Sequence, residues 1–136
     1  MATDAIVVRP AGTAHEILLI TRLNNPFKGA LAFPGGFVDY NEDPETGCLR
    51  ELEEECGLKG KGIELITVAG DPKRDPRKHI ISIVYHIIID ETSGEAKAGD
   101  DAASAKWYDI ADVWTAKEMA FDHKEILKTF LQQKLP

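Results

Sequence analysis

Glu51, Glu53, Glu54 and Glu55 stand almost side by side in GGFVDYNEDPETGCLRELEEECGL, the stretch from Gly35 to Leu58 of a 136-residue chain. At about 100° per residue on a helix, Leu49, Leu52 and Cys56 fall on one side, and Glu51, Glu54 and Glu55 converge on roughly the opposite one. Like charges at this spacing cost a helix roughly a few tenths of a kcal/mol per pair, so the helix alone gains nothing from them. A hard divalent cation reverses the sign. Mg²⁺ takes oxygen ligands, keeps several waters and is held by few carboxylates together with substrate phosphates. On charge alone, a solvated acidic helix face is the rival explanation.

The formal charge is −7, and from Glu42 to Gly57 seven acids face Arg50 alone, so nearly the whole excess sits at one place. That distribution argues against nucleic acid as a partner and for a cation at the site. The acids need a helix to hold them. Asp43 suits its N-cap, Pro44 its first position and Gly57 its stop, so the spacing predicts a helix from Pro44 to Cys56. Before it, AIVV and EILLITR read as two strands joined by a loop or hairpin, and LAF leads into the Pro34-Gly35-Gly36 turn. After it, GIELITVAG and HIISIVYHIIID read as strands, the second apolar enough on both faces to lie inside the sheet. AKWYDI is a short strand. A last helix follows in FDHKEILKTFLQQK, with Asp122 as cap and Glu125 completing a capping box.

These elements predict one α/β domain over residues 1–136, with a mixed sheet and flanking helices. Cys48 and Cys56 lie about 12 Å apart along the helix, too far for a disulfide, and read as packing residues. MATDAIVVRP has no basic leader and no run reaches membrane-spanning length, so a cytoplasmic protein is expected. His15, His79, His86 and His123 lack zinc-site spacing. His86 reads as a hydrogen-bonded core histidine and His123 as a surface residue of the helix's first turn.

Gly36, five residues, Glu42, seven residues and then Arg50-Glu51-Leu52-Glu53-Glu54-Glu55-Cys56-Gly57-Leu58 resemble the full Nudix box at every constrained position. The resemblance implies a Nudix-like α/β/α sandwich and Mg²⁺- or Mn²⁺-dependent hydrolysis of a nucleoside diphosphate linked to another moiety. It implies that Glu51, Glu54 and Glu55 are the metal and catalytic carboxylates, with Glu51 as general base. The Gly35 carbonyl is a backbone metal ligand in this reading, and Asp100 or Asp101 is the acid from a later loop. Arg50 and Glu42 resemble the family's ion pair that orients glutamates; Gly36, Glu42 and Gly57 frame the box. Glu53 points off the acidic face. Gly47, Cys48 and Leu31 depart from residues frequent in the family, without removing a catalytic group.

NNPFKGALAFPGGFV, GDPKRDPRKHIISIVY and AFDHKEIL resemble the ADP-ribose pyrophosphatase branch, Pro72 included. That implies water splitting ADP-ribose into AMP and ribose 5-phosphate. Arg22, Lys28, Gly36, Arg74 and Arg77 are then the candidate substrate contacts, because guanidinium forks match phosphate and ribose oxygens. Trp107, Tyr108, Trp114 and Phe121 are candidate adenine-stacking rings, with core packing the competing role of each. The resemblance implies a small-molecule nucleotide as partner and neither nucleic acid nor membrane; it allows a homodimer, since related pyrophosphatases often are. Hydrolysis of nucleoside triphosphates, damaged nucleotides or dinucleoside polyphosphates is the alternative within the family. A non-catalytic ADP-ribose sensor is another.

Overall fold

In the computed structural model, which describes residues 1–99 and 101–134, the layering follows from strands that are apolar on both faces. In β3 (Ala14–Arg22), Leu18 and Ile20 join one core while Ile17 and Leu19 join another. β1 (Ala2–Ile6) and β7 (Ser82–Ile89) divide likewise, with Ala5, Tyr85 and Ile87 on one side and Ile6 and Val84 on the other. Alternate strand residues face opposite ways, so each strand needs cover on both faces. α1 (Pro44–Cys56) covers the first core through Cys48, Leu52 and Cys56. α2 (Ile110–Ala116) and α3 (His123–Lys134) cover the second through Ile110, Val113, Ile126, Leu127 and Phe130. The result is the α/β/α sandwich expected from the box.

β1 runs parallel to β7 and antiparallel to β5 (Gly35–Phe37), and β7 pairs antiparallel with β6 (Gly60–Ala69). The order β5-β1-β7-β6 puts β7 inside the sheet. In the second sheet, β3 has β8 (Ala102–Asp109) along one edge, and β2 (Val8–Ala11) and then β4 (Leu31–Ala32) along the other. The AIVV run is not one strand: β1 ends at Ile6 in the first sheet and Val8 opens β2 in the second. Between them the Val7 carbonyl accepts the Leu18 N–H at 2.9 Å. The expected hairpin is therefore only the β2–β3 pair.

α1 spans the predicted residues because its end signals are local. Asp43 accepts the Glu45 N–H at 2.9 Å, Pro44 takes the first turn, and Gly57, with φ 70°, donates to the Glu53 carbonyl at 2.9 Å. Asp122 does not cap α3 as predicted. Its carboxylate is gripped by Arg74 at 2.9 and 2.7 Å, which ties the loop after β6 to the start of that helix. α2, capped by Asp109, was not foreseen. Both cysteines are free and buried, and burial pushes both thiols up to about 12. Among the described residues, no helix is long and apolar enough to cross a membrane.

Candidate active site

Arg50 organises the acidic helix. Its guanidinium donates to Glu42 at 2.7 and 3.0 Å, to Glu51 at 2.9 Å, to Glu54 at 3.1 Å and to the Phe37 carbonyl at 3.2 Å. The loop from β5 is thereby bound to α1, and with Asp39 at 3.4 Å four carboxylates share one positive charge. The Arg50 hydrogen bond holds Glu42 down at about 2, and Glu42 in turn raises Arg50. Glu51 packs against β5 so closely that a Cβ on Gly36 would overlap its carboxylate. Glu53 is exposed, away from this cluster.

Glu55 departs from the helical-wheel expectation. It is buried, only 9% exposed, with Oε2 accepting the Gly35 N–H at 3.2 Å. At about 100° per residue Glu55 stands only about 20° around α1 from Cys48 and about 60° from Leu52, so the buried side takes it along with Cys48, Leu52 and Cys56. Burial pushes Glu55 up to about 7, and burial likewise raises Glu51 against the pull of Arg50. The segment before β8 then closes over the end of α1. Lys97 and Gly99 donate their N–H groups to the Cys56 and Glu55 carbonyls at 2.8 and 2.7 Å, using acceptors a helix end leaves free. This zipper carries Asp101 to the site, where its charge adds to the upward push on both Glu51 and Glu55. Asp100 lies outside the described residues.

Among the described residues, no three acidic, histidine or cysteine side chains already close a metal cage. The donor set is nonetheless all oxygen, and two of its carboxylates are held above their ordinary range by burial. Such groups gain from a counter-cation, and a hard divalent ion that keeps several of its own waters fits them. Glu51, Glu54, Glu55, Asp101 and the Gly35 backbone are the residues available to hold it.

Next to these acids lies a cavity of about 320 Å³, lined by Gly35, Gly36, Glu55 and Asp101 together with Arg22, Arg74, Arg77 and Phe121. Arg22 sits where the β3–β8 register slips, and its Nε donates to the Pro26 carbonyl at 2.7 Å. Its guanidinium stands 4.9 Å from the Phe121 ring centre, with that of Arg77 5.8 Å away. Burial, then the nearness of Arg77, lowers the Arg22 pKa. Arg77 also forks onto Asp75 at 3.0 and 2.7 Å. Arg74, though in the lining, has a side chain only 4% exposed and is committed to Asp122 and the Ile80 carbonyl. Lys28 stands elsewhere, in a shallow hollow with Phe27, Lys117 and Glu118. Of the four candidate aromatics, Phe121 lines the cavity, while Trp107 lies under the Arg9 guanidinium at 4.1 Å.

Two cavity residues were not anticipated. His123, expected at the surface, is 3% exposed and stacked on Phe33 with ring centres 4.7 Å apart. The Arg74–Asp122 clamp draws the first turn of α3 inward, and burial lowers the His123 pKa. Asp4, from β1, accepts the Ser82 hydroxyl at 2.5 Å and lines the same cavity. The available signal was an acid inside an otherwise apolar strand, TDAIVV. Among the described residues, His86 packs edge-on against Phe130 at 5.1 Å, a contact with a ring in place of the expected hydrogen bond.

Carboxylates suited to a cation beside guanidiniums suited to phosphate define a site for opening a phosphate anhydride. A NUDIX domain model matches residues 1–130, and the chain belongs to that family. It is 45% identical over 134 residues to an ADP-ribose pyrophosphatase from Methanocaldococcus jannaschii, covering 98% of this chain and 74% of that protein. It is 40% identical over 112 residues to an ADP-sugar pyrophosphatase from Mus musculus, covering 77% and 46%. Among solved structures, the NUDIX domain of Shewanella oneidensis NrtR complexed with ADP ribose superposes with a TM-score of 0.88 at 27% identity, covering 97% of this chain and 86% of that one.

Proposed function

We propose that this NUDIX domain hydrolyses ADP-ribose to AMP and ribose 5-phosphate, with Mg²⁺, or Mn²⁺ in its place, as the cation. The observation that carries the reading is that Glu55, Asp101, Arg22 and Arg77 line one cavity, so carboxylates suited to a cation and guanidiniums suited to phosphate share one space. The M. jannaschii relative and the NrtR domain supply the choice of ADP-ribose. A soluble nucleotide substrate agrees with action in the cytoplasm.

Glu51, Glu54, Glu55, Asp101 and the Gly35 backbone would hold the cation, which when bound neutralises diphosphate charge and makes water a better nucleophile near neutral pH. Arg22 and Arg77 bind anionic oxygens of the substrate and orient the anhydride. Water adds to phosphorus, the bridging P–O bond breaks, and the two phosphate monoesters separate. Glu51, held against Gly36 by its neighbours, takes the proton of the attacking water. Arg50 keeps the glutamates placed without touching substrate.

The test is AMP release, with Mg²⁺ present, from ADP-ribose, other ADP-sugars, nucleoside triphosphates and dinucleoside polyphosphates. ADP-ribose is expected to turn over fastest, and Glu54→Gln to lower the rate by about 10²–10³-fold. Its melting temperature should hardly move, because the Glu54 side chain is 57% exposed and bonded to Arg50 on the same helix. Faster turnover of a triphosphate would overturn the substrate choice.

A further inference from the structure

His123 is held in one tautomer by the fold. Its Nδ1 accepts the Phe33 N–H at 3.2 Å, so the ring proton of the neutral imidazole resides on Nε2. That nitrogen faces Asp4 Oδ2 at 3.7 Å, beyond hydrogen-bond reach, and among the described residues no hydrogen bond takes up its proton. The His123 side chain is only 4% exposed and borders the cavity, so an acceptor for that N–H has to come from the cavity side. The opposing Asp4 carboxylate already receives the Ser82 hydroxyl and still offers lone pairs to the cavity. Lining the cavity is thus a fixed N–H donor beside a fixed carboxylate acceptor, with a gap between them.

The chemistry of that gap selects its occupant. A phosphate oxygen would be repelled by Asp4, and an apolar group would leave both polar atoms without partners. A hydroxyl donates to the carboxylate and accepts from Nε2–H, and a vicinal pair of hydroxyls satisfies both atoms at once. We infer that Asp4 and His123 are specificity-determining residues that bind the vicinal hydroxyls of a substrate ribose, in the same cavity where Arg22 and Arg77 face the phosphates. The inference rests on the ADP-ribose reading and deepens it. Both the terminal ribose and the ribose of the adenosine half carry this diol.

The experiment measures kcat and KM for wild type, Asp4→Asn, His123→Phe and His123→Gln on three substrates. These are ADP-ribose, its analogue lacking the 2-hydroxyl of the terminal ribose, and its analogue lacking the 2′-hydroxyl of the adenosine. Wild type is expected to discriminate against one deoxy analogue by about 10- to 100-fold. The analogue that suffers identifies which ribose is read. Asp4→Asn and His123→Phe should lose a similar factor on ADP-ribose, mainly through KM, and should no longer distinguish it from that analogue. His123→Gln, which keeps an amide donor and acceptor, should recover part of the discrimination. Equal losses on all three substrates, with the wild-type ratio preserved, would show a purely structural role and overturn the inference alone. If His123→Phe fails to fold, the near-isosteric Asp4→Asn carries the same comparison. A wild-type enzyme inert toward ADP-ribose overturns the functional reading and this inference with it.

Discussion

Arg50 is the residue on which the acidic helix depends, because one planar group satisfies Glu42, Glu51 and Glu54 together. Lysine is a point donor and cannot reproduce this fork, so Arg50→Lys is not conservative here. The pH signature of the arrangement lies with Glu42, which Arg50 holds at about 2 in place of 4.5. A carboxylate depressed on folding contributes stability that is fully present above its unfolded value and is lost as pH falls through its folded value. The melting temperature of wild type should therefore fall between about pH 4.5 and pH 2 more steeply than that of Glu42→Gln. Parallel curves for the two proteins would remove this ion pair from the acid limb.

At the scale of elements, the site is a joint between α1 and the segment before β8. The Lys97 and Gly99 N–H groups continue the hydrogen bonding of the helix end, and Asp101 arrives at the glutamates as a consequence. Gly99 lies so near the helix that a Cβ there would overlap the Glu54 carbonyl oxygen, a backbone atom that cannot swing aside. Gly99→Ala should cost about 1–3 kcal/mol in urea unfolding. It should also lower kcat by displacing Asp101, and a variant less stable but equally fast would show that the placement of Asp101 is unimportant. The Arg74–Asp122 clamp plays the matching part across the cavity, binding the loop after β6 to α3.

In the whole molecule, two apolar cores share the strands between them, and only the first carries the acidic helix. Leu52 is fully buried there on the helix that bears Glu51, Glu54 and Glu55. Leu52→Ala should destabilise the fold by about 2–5 kcal/mol and lower the activity of the molecules that remain folded, because α1 loses its seating. Val113→Ala, in the second core and away from the cavity lining, should cost about 1–3 kcal/mol and leave kcat of the folded enzyme near that of wild type. Equal kcat losses in the two variants would mean that α1 is not seated by its own core.

The sequence by itself determined the bounds of α1, the spacing of its carboxylates, the interior place of β7 and the layered fold, because caps, helical period and apolar runs act over a few neighbouring residues. It did not determine that AIVV divides between two sheets, since both halves are equally good strands and only their partners differ. It placed Glu55 with the exposed acids, whereas the packing of α1 on the sheet buries it beside Cys48 and Leu52, against the Gly35 N–H. Asp101 was a candidate only through the family resemblance, and Asp4 and His123 reach the site through long-range contacts, the last through a hydrogen bond to a backbone group 90 residues away. Spacing along the chain is blind to such pairings. The tertiary structure decides them, because burial and hydrogen-bond geometry depend on which surfaces meet.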